Sequence, residues 1–103
     1  MRLAIQTISR AAAGTVSPAD AEALLAAGGQ LVDIRSPADI GQQRLPGALN
    51  LPVESLCYEH TRLNSHRPII VYGGNEVRCI RAARLLAGKG FSSIYHLEGN
   101  LYQ

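Results

Sequence analysis

Residues 69–86 read IIVYGGNEVRCIRAARLL and combine a short apolar run, two glycines and a helical pattern. The run Ile69–Tyr72 is too short for a helix and is typical of a central parallel strand that is covered on both faces. A helix is predicted over residues 77–87, with one buried apolar stripe and with glycines at positions 88 and 90 to end it: Val77, Ile80, Ala83, Leu86. A strand, a glycine loop and a helix in this order direct backbone N–H groups and a helix N-terminus toward whatever binds above the sheet. The arrangement is suited to an anion.

Length and composition predict one globular domain with one core. The chain has 103 residues, of which 47% are hydrophobic and 17% charged, and these values are ordinary for a soluble protein. No apolar run approaches the roughly 20 residues that a membrane span needs, so we expect no membrane partner. A net charge of +2, a single Phe and the lack of Trp argue against nucleic-acid binding.

The cysteines and histidines form no metal-binding pattern. Cys57 and Cys79 are too far apart for a CxxC motif, and the three histidines are scattered. We therefore expect no metal, no cofactor and no disulfide. Reduced thiols in a cytoplasmic protein are the favoured interpretation.

Outward from the central stretch, helices and strands alternate. Ser17 as a cap and Pro18 as a first residue predict a helix that ends at Gly28-Gly29. Strands are predicted at residues 31–35, 48–51 and 93–97, short helices from Ser36 and at residues 53–58, and a loop at residues 61–68. The pattern predicts an α/β three-layer sandwich, with a mostly parallel sheet and helices on both faces.

The first 14 residues allow two interpretations, an extension that resembles a weak transit peptide or an edge strand at residues 3–8. The domain itself is expected to span residues 15–103. Ligands of such sheets bind beyond the carboxyl ends of the strands, so the candidate site combines Arg35, Ser36, Asn50 and residues 73–78.

Three ordered motifs resemble the signatures of rhodanese-like domains, a family that includes single-domain sulfurtransferases. Residues 31–52, LVDIRSPADIGQQRLPGALNLP, are similar to an Asp-x-Arg strand end followed by an acidic residue and a Pro-Gly-Ala turn. Residues 71–79, VYGGNEVRC, are similar to the strand and Cys-x-x-Gly-x-Arg-Ser loop of the family, and residues 97–100, LEGN, to its Leu-Glu-Gly-Gly ending. The resemblance covers about residues 15–101 and implies the rhodanese-like fold.

The resemblance also implies that the sulfurtransferase site is degenerate. In active members the loop cysteine carries sulfur as a persulfide and passes it to a nucleophile, and that position here holds Gly73, which has no thiol. Glu76 replaces the loop glycine and brings a negative charge, whereas Arg78 matches the family's arginine. The implied function is a non-catalytic binding or regulatory module, with a small anion or sulfur-containing compound as ligand and a protein or a second copy of the chain as partner. Its anion-binding loop is Gly73, Gly74, Asn75, Glu76, Val77 and Arg78, supported by Asp33 and Arg35.

An enzyme remains the alternative, because Cys79 lies at the family's serine position. The helix dipole and Arg78 would lower the pKa of that thiol, which favours a sulfurtransferase that uses Cys79, whereas a small buried side chain is the plainer interpretation. Cys57 is expected to pack in the core. Gly73→Cys with Glu76→Gly is predicted to restore some capacity to form a persulfide.

Structural roles are open for the charged residues as well. Asp33 is suited to hold neighbouring backbone N–H groups, Arg35 to pair with Asp39 or Glu76, and Arg78 to pair with Glu76 or to bind an anion. The arginines and lysine of the central helix are either a docking face for an acidic partner or, as we favour, its solvated side: Arg78, Arg81, Arg84, Lys89.

Rhodanese-like domains usually continue past the Leu-Glu-Gly-Gly turn into a helix that covers the core. This sequence reads Leu-Tyr-Gln at positions 101–103. We therefore expect apolar side chains of residues 91–97 and of the first helix to be partly uncovered. Self-association, a partner or the segment at residues 3–8 would cover them.

Overall fold

A computed structural model describes residues 14–36, 38, 45–73 and 75–97 of the chain. Its five strands form one parallel sheet in the order β1-β5-β4-β2-β3. The strands are β1 (Gly14–Val16), β2 (Gln30–Asp33), β3 (Leu49–Asn50), β4 (Ile69–Tyr72) and β5 (Ile94–Leu97). The helices are α1 (Pro18–Ala26), α2 (Leu56–Glu59) and α3 (Glu76–Gly88), with 3₁₀ turns at Val53–Ser55 and His60–Arg62. The predicted α/β sandwich is confirmed.

Strand β4 lies in the middle of the sheet and is buried along its whole length. Ile69 and Val71 pack into the core cluster that includes α3, whereas Ile70 and Tyr72 pack into the cluster that includes α1. Because helices cover both faces, every position of this strand is buried. That burial explains why its sequence does not alternate between apolar and polar residues.

Helix α1 begins as the sequence predicts. The Ser17 hydroxyl accepts a hydrogen bond from the Asp20 N–H at 3.2 Å, and Pro18 occupies the first turn, where its missing N–H costs nothing. Strand β2 ends at Asp33, two residues earlier than predicted. The reason is a local turn, in which the Asp33 carboxylate accepts the Arg35 N–H at 2.9 Å and draws the chain out of the sheet.

The predicted buried stripe of α3 is confirmed at Ala83 and Leu86 and is wrong at Val77, while Ile80 is half-buried. Val77 is 73% exposed, and the buried residues of the helix are Cys79, Ala82, Ala83 and Leu86. Apolar residues occupy two stripes of this helix, so periodicity alone did not identify the one that faces the sheet. The predicted loop at residues 61–68 also begins with the 3₁₀ turn at His60–Arg62.

One edge of the sheet is formed by a strand that the sequence pattern does not predict, β1. Strand β5 is an inner strand between β1 and β4, and β1 forms that edge of the sheet. Phe91, Ile94 and Leu97 are at most 5% exposed, so the expectation that they are uncovered is wrong, since β1 and the helices enclose them. The first helix does border an apolar groove of about 260 Å³, which is lined by Pro18, Ala21, Glu22, Leu25, Leu31, Leu45, Pro46 and Leu97.

Two predictions lie outside the described residues: the strand at residues 3–8 and most of the short helix that follows Ser36. In the described part of the chain, no helix has the length and apolar character needed to cross a membrane.

Candidate functional site

The carboxyl ends of β4, β2 and β3 lie side by side and bring the predicted site residues together. Asp33 is opposite Tyr72 on one side and Asn50 on the other in the parallel register. Gly73 follows the end of β4 directly, and Arg35 lies two residues beyond the end of β2. This is the edge at which parallel sheets usually bind ligands.

Asp33 and Arg35 form an ion pair at this edge. Oδ2 of Asp33 lies 2.9 Å from Nη2 of Arg35, and Oδ1 of Asp33 accepts from Nε of Arg35 at 3.1 Å. The Asp33 side chain is fully buried and that of Arg35 is 11% exposed. Removing one partner of a buried pair usually costs about 3–5 kcal/mol, so this pair is a firm part of the site.

The predicted role of Asp33 in holding a backbone N–H is confirmed by its bond from the Arg35 N–H. The pairing of Arg35 with Asp33 was not predicted, and the proposed partner Asp39 lies outside the described residues.

Asn50 fixes the backbone beneath this ion pair. Its Nδ2 donates to the carbonyl oxygens of Asp33 and Arg35, each at 2.9 Å. Both bonds are made within the protein, so the amide group of Asn50 holds the turn after β2 in place. Ser36, another predicted member of the site, is half-buried next to this turn.

The side chain of Arg35 also lies against the end of β4. Its guanidinium carbon is 5.9 Å from the centre of the Tyr72 ring, which is within cation–π range. Gly73 has φ +102°, a conformation that L residues rarely adopt. A Cβ atom at Gly73 would lie 2.6 Å from Cγ of Arg35 and 3.0 Å from Oδ1 of Asp33. The stem of Arg35 therefore fills the space in which a side chain at position 73 would begin.

Helix α3 opens beside this glycine. Oδ1 of Asn75 accepts the Arg78 N–H at 2.8 Å and caps the helix, and the exposed Glu76 and Val77 follow in the first turn. Gly74, the remaining predicted loop residue, lies outside the described residues.

The structure pairs Arg78 with Glu54 and not with Glu76, whose pairing with Arg78 was one of two predicted alternatives. Nη2 of Arg78 lies 3.9 Å from Oε2 of Glu54, and the two side chains are 40% and 62% exposed. Such exposed pairs contribute about 0–1 kcal/mol, so this contact holds Arg78 only loosely.

Of the two interpretations of Cys79, the plainer one, a small buried side chain, is confirmed, and the activated thiol is not. The side chain is 1% exposed and its Sγ donates to the carbonyl oxygen of Gly73 at 3.4 Å. Burial, assisted by the negative charge of Glu76, raises the pKa of the thiol from 9.0 to about 11. The predicted lowering by Arg78 and the helix dipole fails because the loss of hydration outweighs it.

Cys57 was expected in the core and is exposed. Helix α2 is a single turn, and Leu56 is its buried residue, so the next position faces solvent. Sequence reasoning also missed the contact of Tyr72 with Arg35 and the role of Glu54. Tyr72 is the last residue of the strand before the loop, and that position is the feature of the sequence that could have indicated its place in the site.

Comparisons with known proteins agree with this architecture. The family profile of the rhodanese-like domain matches residues 17–103. The thiosulfate sulfurtransferase GlpE of Ectopseudomonas mendocina is 37% identical over 86 residues, which are 82% of this chain and 77% of that protein. An uncharacterised protein of Bacillus subtilis, YqhL, is 34% identical over 70 residues, and these cover 68% of this chain but only 56% of YqhL.

Among solved structures, the Alr3790 protein of Anabaena sp. superposes with a TM-score of 0.74 at 26% identity. The match covers 84% of this chain and 80% of that one. The profile match, the identity to GlpE and the shared fold lead to one conclusion: the chain belongs to the family of rhodanese-like domains.

Proposed function

We propose that this rhodanese-like domain is a non-catalytic binding or regulatory module with a degenerate sulfurtransferase site. One observation carries the proposal. The family motif assigns the sulfur-carrying cysteine to position 73, where this chain has a glycine and where the stem of Arg35 occupies the adjacent space. Glycine has no sulfur atom to carry as a persulfide, and a side chain at that position would have to displace the stem of Arg35.

The position of Arg35 is fixed by several contacts, which supports the proposal. Its guanidinium group is bound to the buried Asp33 and its backbone oxygen to Asn50. Moving the side chain away would leave the carboxylate of Asp33 buried without its cation. Arg35 is therefore held in the position in which its stem fills the space beside Gly73.

The alternative, a sulfurtransferase that uses Cys79, has less support. A pKa of about 11 leaves roughly one molecule in ten thousand as the thiolate at pH 7, and the thiolate is the reactive form. The sulfur atom also faces the Gly73 carbonyl within the protein.

We infer that the ligand is a small anion or a sulfur-containing compound near Arg78. Arg78 is partly exposed in the first turn of α3, and its weak pairing with Glu54 is one that an anion can displace. The two free cysteines support work in a reducing, cytoplasmic setting.

Thiosulfate tests both parts of the proposal on the full chain. We expect no turnover of thiosulfate and cyanide above a heat-inactivated sample, and no persulfide by mass spectrometry. We expect thiosulfate to bind in calorimetry without turnover, and Arg78→Gln to weaken that binding about fivefold or more. Arg62→Gln is the matched control, since it removes the same charge from a separate exposed pair with Glu59.

Three results would contradict the proposal. Turnover that is lost in Cys79→Ser would establish the alternative enzyme, and turnover lost only in Cys57→Ser would move the reaction to the exposed thiol. No binding of thiosulfate at millimolar concentration would reject the anion site.

A further inference from the structure

Helix α3 carries two side-chain stripes with the same spacing. The buried stripe is Cys79, Ala82, Ala83 and Leu86. A second set, which we call the outer stripe, has the same i, i+3, i+4, i+7 spacing and consists of Val77, Ile80, Arg81 and Arg84. The two stripes are offset by two residues, or about 200° around the helix, so the outer stripe faces directly away from the core.

Its apolar residues are unusual for an outward-facing stripe. Val77 is 73% exposed, and Tyr58 is the other large hydrophobic side chain that is exposed in the described part of the chain. Ile80 is half-buried one turn further on. With Arg81 and Arg84 these side chains line a shallow depression of about 290 Å³. The depression has an apolar start and a basic end.

Charge sets the chemistry of what fits there. Helix α3 contains three arginines against one acidic residue, Glu76, and Arg78 is committed loosely to Glu54. Arg81 is exposed and forms no ion pair with any residue that the structure describes. A surface that places an exposed guanidinium beside aliphatic side chains complements carboxylates that surround an apolar side chain.

We propose that the outer stripe of α3 docks a protein segment that presents acidic side chains next to one apolar anchor. The apolar anchor fits beside Val77 and Ile80, and its acidic neighbours pair with Arg81. A lipid surface fits less well, because two small aliphatic side chains offer little area for insertion. A nucleic acid fits less well because the stripe has no aromatic side chain on which bases stack.

This inference goes beyond the function proposed above. The docking surface lies on the face of α3 opposite the core, and the inference does not depend on whether the Gly73 loop binds or transfers sulfur. Its test measures binding alone, so a failure here leaves the thiosulfate result unaffected.

The experiment first selects peptides from a displayed library of random dodecapeptides on the immobilised full chain. Synthetic versions of the enriched peptides are then titrated against the full chain to measure their affinity. We expect enrichment of Asp and Glu around a bulky apolar residue. Val77→Ser and Arg81→Gln should each weaken binding about fivefold to tenfold. An increase in NaCl from about 50 to about 300 mM should weaken it further, because exposed ion pairs are screened.

The chain offers a matched control for each change. Tyr58→Ser removes the other exposed apolar side chain, and Arg62→Gln removes a positive charge from another exposed element. Both should bind the peptides within about twofold of the unchanged protein. All four positions are on the surface, and unchanged circular dichroism and melting temperature would show that each variant is folded.

The proposal is overturned if enriched peptides lack acidic residues, or if the two control variants lose as much affinity as the two stripe variants. It is also overturned if Val77→Ser and Arg81→Gln bind peptides like the unchanged protein. Vesicles of phosphatidylcholine with about 30% phosphatidylserine, and duplex DNA, are tested in parallel. Binding to either that is lost in the stripe variants, without peptide binding, would assign the surface to that partner instead.

Discussion

At the scale of single residues, Gly73 is restricted twice, by its backbone and by its neighbour. Its φ of +102° is unfavourable for any residue with a side chain, and Arg35 lies within 2.6 Å of the position a Cβ would take. The two effects can be separated because the chain has another glycine, Gly90, that shares the unfavourable φ but has no close neighbour. Gly90 has φ +96° and nothing within 4 Å of its would-be Cβ.

We predict that Gly73→Ala lowers the free energy of unfolding by about 2–5 kcal/mol, whereas Gly90→Ala lowers it by about 1–3 kcal/mol. Backbone strain acts in both variants, and overlap with Arg35 and Asp33 adds to the cost at position 73. Urea denaturation of the two variants and the unchanged protein measures the difference. Equal losses of unfolding free energy in the two variants would mean that Arg35 moves aside at no cost and does not block a side chain at position 73.

The thiols show where sequence reasoning stops at this scale. Motif alignment located Cys79 correctly in the first turn of α3, next to Arg78. Whether it faces the loop or the core depends on which stripe of the helix packs on the sheet, and both stripes of α3 carry apolar residues. For Cys57 the pattern around a one-turn helix is too short to show a face at all. Both orientations, and with them the raised pKa of Cys79, required tertiary contacts.

At the scale of elements, the cap of α3 connects the candidate loop to the helix. The Asn75 side chain accepts the Arg78 N–H at 2.8 Å, while its own backbone is extended, as an N-cap requires. The cap sets both the start of α3 and the position of Arg78. The sequence pattern predicts the helix start at Val77, one residue late, because Asn75 reads as a loop residue as well as a cap.

We predict that Asn75→Ala lowers the free energy of unfolding by about 1 kcal/mol, because one N–H of the first turn loses its acceptor. Asn75→Ser should recover most of the loss, since a serine hydroxyl also caps. Chemical denaturation of both variants tests this, with Ser17→Ala at the cap of α1 as a comparison. An unchanged stability in Asn75→Ala would show that the cap does not define the helix start.

Several elements were predictable because local signals agreed with each other. Strand β4 has its predicted bounds, and α1 has its predicted cap and first proline. The end of β2 was not predictable, because it depends on a side chain that turns back on its own backbone at Asp33. The edge position of β1 was not predictable either, since strand order is decided by packing across the whole sheet.

At the scale of the whole molecule, a buried thiol couples stability to pH. The pKa of Cys79 is about 11 in the folded protein, against an ordinary value of 9.0, which we take for the unfolded chain. Below pH 9 the thiol is protonated in both the folded and the unfolded state, and its contribution to the free energy of unfolding is fully present. Between about pH 9 and 11 the unfolded chain releases the proton while the folded protein retains it, so stability falls as pH rises.

We predict that this loss amounts to roughly 2–3 kcal/mol across that window, at about 1.4 kcal/mol for each pKa unit. Other groups titrate there too, so the measured quantity is the difference between the unchanged protein and Cys79→Ala. Urea denaturation at pH 8, 9, 10 and 11 should give a difference that shrinks as pH rises. A constant difference would show that Cys79 titrates alike in both states.

The space that Arg35 fills beside Gly73 has a further consequence, for the introduction of a thiol by substitution. A cysteine at position 73 would meet the stem of an arginine that is itself tied to a buried carboxylate. The pair Gly73→Cys with Glu76→Gly therefore supplies a thiol but leaves it opposite Arg35. A side chain at position 73 gains room only if the stem of Arg35 shifts, and the ion pair with Asp33 resists that shift.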